Sequence, residues 1–245
     1  MDLELLTFIA IGFLAQLVDG ALGMAFGTIT SSTLVLLGTA PAVASAAVHT
    51  AEIATTAMSG ASHIWNRNVD RRLFGQLAIT GVAGGVFGAY VLAGLPESII
   101  KPIVTIYLAV MSAIIIARAF GWRSGTWRPP RPLLGATGGF LDAAGGGWGP
   151  LVASTLIAGG DQPRRAIGSV NLAEFFVTLS ISVTFVTQLD LAPYAKLILG
   201  LVIGGALAAP LAGYLLRVLP MRAALVLVAI ALTAVSSLNL IGLLR

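Results

Sequence analysis

The chain contains no cysteine, which excludes disulfides, thiolate metal centres and cysteine nucleophiles together. Charge is nearly as scarce: Asp, Glu, Lys and Arg make up 10% of 245 residues, against the roughly 25% that a water-facing domain uses to cover its surface. Hydrophobic residues account for 57% and the mean hydropathy is +0.95, so an aqueous globule is excluded and an integral membrane protein remains. There are only two histidines, and neither HExxH nor GxSxG occurs, which removes two common hydrolase signatures. The net charge of +4 invites a nucleic-acid reading, but the arginines sit in short loops beside apolar spans, where the positive-inside rule accounts for them. The start, MDLELLTFIA, lacks the basic region and cleavage site of a signal peptide and is expected to be retained.

What is abundant is glycine, 29 residues, with 11 prolines, and both cluster. Apolar spans fall near residues 5–37 (interrupted), 42–64, 73–94, 98–118, 132–159 (interrupted), 164–187, 193–216 and 222–243. These are about eight segments of the ~20 residues that cross a hydrocarbon core, and the expected class is an all-α integral membrane protein. Pro41 and Pro163 stand at helix starts, where the missing amide hydrogen costs nothing. Gly84-Gly85 and Gly204-Gly205 are small pairs that let helices approach closely in lipid.

The sequence also repeats. Pairing residues 27–56 with 149–178 gives identities at Gly27, Ser32, Thr33, Leu34, Gly38, Pro41, Ala44, Val48, Ala51, Glu52 and Thr56, 11 of 30 positions. A one-residue gap upstream aligns Asp19 with Asp142. The halves are residues 1–120 and 132–245, joined by an Arg- and Pro-rich linker at 121–131.

Charge selects the topology. If all eight segments cross, the basic residues divide nine inside and five outside. If the two glycine-broken segments dip in and return, each half keeps three true crossings and the repeats become inverted. Arg67, Arg71, Arg72, Arg118, Arg123, Arg128, Arg131, Arg164, Arg165, Arg217 and Arg222 are then cytoplasmic, and only Lys101, Lys196 and Arg245 lie outside, eleven against three. The expectation is two inverted repeats, each a re-entrant segment plus three transmembrane helices, in a prokaryotic inner membrane.

Ser45, His49, Glu52, Thr56, Ser59 and His63 recur at steps of three and four, which places them on one helix face. A polar stripe of that length faces another helix or a water-filled path, because an ionised acid in lipid costs about 2.5–3.5 kcal/mol on insertion scales. Glu52 lies near mid-span, within reach of His49, and the second half repeats the pattern with Asn171, Glu174 and Thr178. Asp19 precedes Gly20, Gly23 and Gly27; Asp142 precedes Gly145, Gly146, Gly147 and Gly149. The half-helices after these breaks are expected to begin near Thr28 and Pro150 with their amides and positive dipole ends turned to the protein centre, a seat for an anion. Candidate substrate-binding residues are Gly23, Gly27, Thr28, His49, Gly145, Gly146, Gly147, Gly149 and Asn171. Asp19, Glu52, Asp142 and Glu174 are read as proton-coupling or structural acids; Asp19 and Asp142 serve equally well as caps of the broken backbone. Trp148 either gates the site or fills the groove beside the glycines, and His63 reads as an interfacial anchor.

On these residues the sequence resembles the TauE/SafE family of membrane transporters. The likeness rests on DGALGMAFG with HTAEI, on DAAGGGWGP with NLAEF, and on the Arg-bearing loop between the halves. It covers nearly the whole chain. The resemblance implies export or uptake of sulfite, organosulfonates or related anions. Leu22 and Met24 depart from the glycine run of the second copy, so the two halves are not expected to contribute equally.

The reading is therefore a non-enzymatic secondary transporter of a small anion, proton-coupled, without cofactor or bound metal, whose partners are the substrate, protons and the bilayer; a homo-oligomer is compatible with it and nucleic acid is not. Two alternatives stand beside it: a cation or metal transporter using the intramembrane carboxylates, and an intramembrane lipid-phosphate hydrolase, which the loop placement of every arginine disfavours. The absence of cysteine makes the topology directly testable. Single cysteines at Asp2 and Arg67 are expected to react with impermeant reagents from outside and from the cytoplasm respectively; cytoplasmic labelling at Asp2→Cys overturns the inverted arrangement.

Overall fold

The computed structural model describes residues 2–22, 25–121, 128–218 and 221–243. Gly23, Met24, Arg123, Pro220 and Arg245 lie outside the described residues, as does most of the linker. The described residues contain helices and no strand. They comprise α1 (Leu3–Leu22), α2 (Phe26–Leu36), α3 (Pro41–Trp65), α4 (Arg71–Gly94), α5 (Glu97–Ala119), α6 (Arg131–Asp142), a π turn (Gly149–Ala153), α7 (Ser154–Ala158), α8 (Pro163–Gln188), a 3-10 turn (Ala192–Tyr194), α9 (Ala195–Val218) and α10 (Met221–Leu243). Four stretches among the described residues are long and apolar enough to cross a membrane: Arg71–Gly94, Glu97–Ala117, Pro163–Gln188 and Ala192–Leu211. The 25-residue α3 is as long, but its polar stripe lowers its hydropathy.

Helix boundaries follow local chemistry. Pro41 and Pro163 open α3 and α8. Asp70 caps α4, its Oδ1 accepting from the N–H groups of Arg72 (2.9 Å) and Leu73 (3.0 Å). In this exposed loop the Leu73 N–H chiefly holds the Asp70 carboxyl below its usual range, aided by Arg72 N–H and the charges of Arg131 and Arg165.

The two ends of each broken segment lie close together. Glu4, Thr7 and Phe8 from the start of α1 and Leu37–Ala40 from the end of α2 line one cavity of about 790 Å³, together with Glu97 and the Ala192–Leu197 turn. At the opposite end Arg131, opening α6, donates to Asp161 beyond α7 (3.0 Å), and Arg128 packs on Gly159 and Gly160. Arg164 donates to Asn68 there (2.6 Å), which brings the turns before α4, before α6 and before α8 to one basic face.

Helices α3 and α8, which occupy equivalent places in the sequence repeat, pack against each other antiparallel. Thr50 meets Ser182 (2.9 Å), Ser59 meets Asn171 (3.0 Å) and Asn68 meets Arg164, so α8 numbers fall as α3 numbers rise. The partners of the other helices are exchanged in the same way: α1 lies against α9, and α4 against α6. Both of these contacts run parallel and are made through glycine. Gly12 faces Leu201 while Gly204 receives Ile9 and Phe13; Gly84 faces Ala136 and Gly88 faces Phe140. Lipid tails are as apolar as leucine, so close backbone approach at small residues, not apolar burial, holds such pairs together. A Cβ at Gly12 would stand 2.6 Å from the Leu201 carbonyl oxygen, and one at Gly139 would enter the Gly81 carbonyl of α4. Gly12→Val and Gly139→Val are each expected to cost about 1–3 kcal/mol through overpacking, read as a lower melting temperature in detergent, whereas Gly75→Ala, at an open position, leaves it unchanged.

Candidate functional site

The polar stripe of α3 faces inward, buried at Ser45, His49 and Glu52 and half-buried at Thr56, Ser59 and His63. Its first members, Ser45 and His49, press on the second break: Ser45 donates to the Ala143 carbonyl (2.7 Å) and His49 Nε2 lies 3.3 Å from Asp142 Oδ2. His49 was expected within reach of Glu52. Its ring is instead anchored at Nδ1 by the Ser45 carbonyl (2.8 Å), which turns Nε2 across to α6. His63 ends the stripe as a link to α8, 3.4 Å from Asn171 and 3.3 Å from Asn68, so it belongs to the interhelical network as well as to the rim.

Asp19 and Asp142 do the same work in the two breaks. Asp19 Oδ1 accepts from Ala25 N–H (2.7 Å) and Phe26 N–H (3.1 Å); Asp142 Oδ1 accepts from Gly147 N–H (3.0 Å) and Trp148 N–H (3.0 Å). The carboxylates take the amides at the edge of each break, as the capping reading of Asp19 and Asp142 expects, and the half-helices start slightly earlier than expected, at Phe26 and Gly149. The two breaks meet at bare backbone. A Cβ on Gly27 would lie 2.6 Å from Gly146 Cα, Gly146 takes φ +96°, and Thr28 Oγ1 donates to the Gly146 carbonyl (2.7 Å).

Around this crossing is a cavity of about 280 Å³. Four acids line it, Asp19, Glu52, Asp142 and Glu174, with Gln16, Asn171 and the hydroxyl residues Thr55, Thr56 and Ser59. Phe26, Gly27, Gly146, Gly149, Pro150 and Trp148 complete the wall. No Lys or Arg among the described residues lines the cavity or pairs with these acids. Glu52 is 9% exposed, and its Oε1 would be 3.3 Å from a Cβ on Gly27. No three His, Asp or Glu side chains among the described residues group as metal ligands.

Of the sequence-derived candidates, Gly27, Gly146, Gly149, Asn171 and the four acids reach the cavity. Thr28, His49, Gly145 and Gly147 stand behind it: His49 is fully buried, Gly145 packs on Ser31 and Leu108, and Gly147 on the Tyr107 hydroxyl. Thr178 is buried, with its hydroxyl unpartnered, and does not line the cavity. Trp148 fills the groove beside Gly81 and Gly138 and donates its indole N–H to the Val170 carbonyl (3.2 Å), so it is a fixed wall. Gln16 escaped the sequence reading, although a polar residue three positions before Asp19 in an apolar helix carried the signal. Ser45, His49 and Asp142 form a Ser–His–Asp line, but Ser45 is buried away from the cavity and its proton is given to Ala143, so the line presents no nucleophile.

Comparison with known proteins agrees with this architecture. No solved structure matches the chain. The probable membrane transporter protein YtnM of Bacillus subtilis (strain 168) is 39% identical over 225 residues, covering 87% of this chain and 75% of that protein. The family model described as sulfite exporter TauE/SafE matches residues 8–240. Nearly the whole chain lies within that match, and it belongs to the TauE/SafE family of multi-pass membrane transporters.

Proposed function

We propose that this transporter moves a small anion together with protons, the substrate being sulfite, an organosulfonate or a related sulfur-containing or organic anion. The observation that carries the reading is the cavity at the crossing of the two breaks, where four carboxylates gather with no lysine or arginine among the described residues. An anion cannot share about 280 Å³ with four ionised acids, since like charges at such separations repel by several kcal/mol when screened poorly. Protons arriving on Glu52 and Glu174 remove that repulsion, and their departure restores it. The acids thus make anion entry depend on proton entry, which is coupling in its simplest form.

Residues 1–120 and 132–245 act as two inverted halves joined by a cytoplasmic linker at 121–131, in a prokaryotic inner membrane. The antiparallel packing of α3 on α8 supports inversion, because a two-fold axis relating equivalent antiparallel helices lies across them and hence in the membrane plane. The hairpin return of each broken segment supports re-entrance. Access alternates as one half rocks against the other about the central crossing. A cation cargo is the second reading, favoured by the same four carboxylates; protons are the cation that both readings share.

In proteoliposomes, wild-type protein is expected to move sulfite at a rate set by the imposed pH gradient. Glu52→Gln and Glu174→Gln each lower gradient-driven flux by at least about tenfold, the scale of a 1.4 kcal/mol change. Unchanged pH-dependent flux in both variants overturns the coupling role, and flux of divalent cations without sulfite favours the second reading.

A further inference from the structure

The hydrogen bonds behind the cavity bear on the charge of His49, which sequence reasoning named only as a candidate substrate-binding residue. Ser45 donates its hydroxyl proton to the Ala143 carbonyl at 2.7 Å, so towards His49 Nδ1, 3.2 Å away, its oxygen can only accept. The Ser45 carbonyl, 2.8 Å from the same Nδ1, also only accepts. Nδ1 therefore carries a proton. The other ring nitrogen, Nε2, faces Asp142 Oδ2 at 3.3 Å. Two lone pairs cannot face each other there, so a proton lies between them as well. Asp142 Oδ1 already accepts two backbone N–H bonds, an arrangement made for a carboxylate, which leaves the second proton on the ring.

We propose that His49 is an imidazolium ion locked beneath the cavity, the positive member of a buried pair with Asp142, and that its charge makes the second break the seat of the anion. The shared proton follows from the hydrogen bonds and its place on the ring is what the proposal assigns; the seat rests on the transport reading above. His49 is fully buried and Asp142 is 3% exposed, so the pair is shielded from screening by water or salt. The titratable groups that face Asp142 from other elements are Glu174 on α8 and Tyr107 on α5, with Glu52 on α3 itself. The first break has no counterpart. Residues 45 and 49 correspond to Ile167 and Asn171 in the repeat, and Asn171 is engaged with Ser59 and His63, so no cation among the described residues pairs with Asp19. The two capping acids are thus unequal: Asp142 is neutralised as a pair and Asp19 is not. His49 acts through Asp142 and does not touch the cavity, which makes it a positioning residue.

The chain holds only two histidines, so ring nitrogen NMR on full-length protein labelled in histidine resolves the matter. In His63→Gln the single remaining ring is His49. At neutral pH both of its nitrogens are expected in the protonated range. Asp142→Asn in that background is expected to return a neutral ring that keeps its Nδ1 proton. A neutral His49 in the His63→Gln protein overturns the proposal, and since His63 bonds Asn68 and Asn171 and none of Ser45, His49 or Asp142, the variant leaves the hydrogen bonds of His49 in place. Sulfite binding by calorimetry tests the seat: His49→Gln is expected to weaken it at least about tenfold, and equal affinity overturns it. Wild-type protein that neither binds nor moves sulfite overturns the seat and the anion reading together, while NMR still decides the charge.

Discussion

A chain that leaves the helix in the middle of a bilayer has no water to satisfy its amides, and everything else in this molecule is arranged around that problem. Two helices are interrupted, and at each interruption one aspartate takes two backbone N–H groups on a single oxygen. Once Asp19 and Asp142 hold the breaks, two half-helix N-termini can sit at the protein centre. The cost is that carboxylates now stand where a cavity forms. Glu52 and Glu174 add to it, and the lining side chains among the described residues answer with amides and hydroxyls, not with lysine or arginine.

The packing follows from the same constraint. Broken segments that turn back need neighbours on all sides, and they receive them from the opposite half, α1 from α9 and α6 from α4. These contacts are close because both partners present glycine. The long helices α3 and α8 then cross at the centre, carrying the polar stripe between them. The equivalent units are interleaved, and neither repeat encloses the cavity by itself.

The sequence disclosed the elements closely. The apolar spans match the helices within a few residues, since their limits are set by Pro41, Pro163 and Asp70, whose local chemistry needs no tertiary partner. The stripe of α3 was legible for the same reason: period and polarity place it on one interior face. What could not be read was which acceptor each donor meets. His49 was within reach of Glu52 on its own helix and of Asp142 across a helix gap, and only tertiary placement selects Asp142. The occupation of the half-helix amides by Asp19 and Asp142 was one of two equal readings, because a cap and a ligand group share the same residue type. Thr28, Gly145 and Gly147 look like site residues by motif yet serve the turn itself, through Gly146, Ser31 and Tyr107.

The contact between Gly27 and Gly146 has a mechanical meaning of its own. There the first break touches the second as backbone on backbone, with the Thr28 hydroxyl fastened to the Gly146 carbonyl. Side chains yield by changing rotamer, but main chain resting on main chain transmits displacement almost without loss. A shift of either broken segment is therefore passed to the other through a contact only two residues wide.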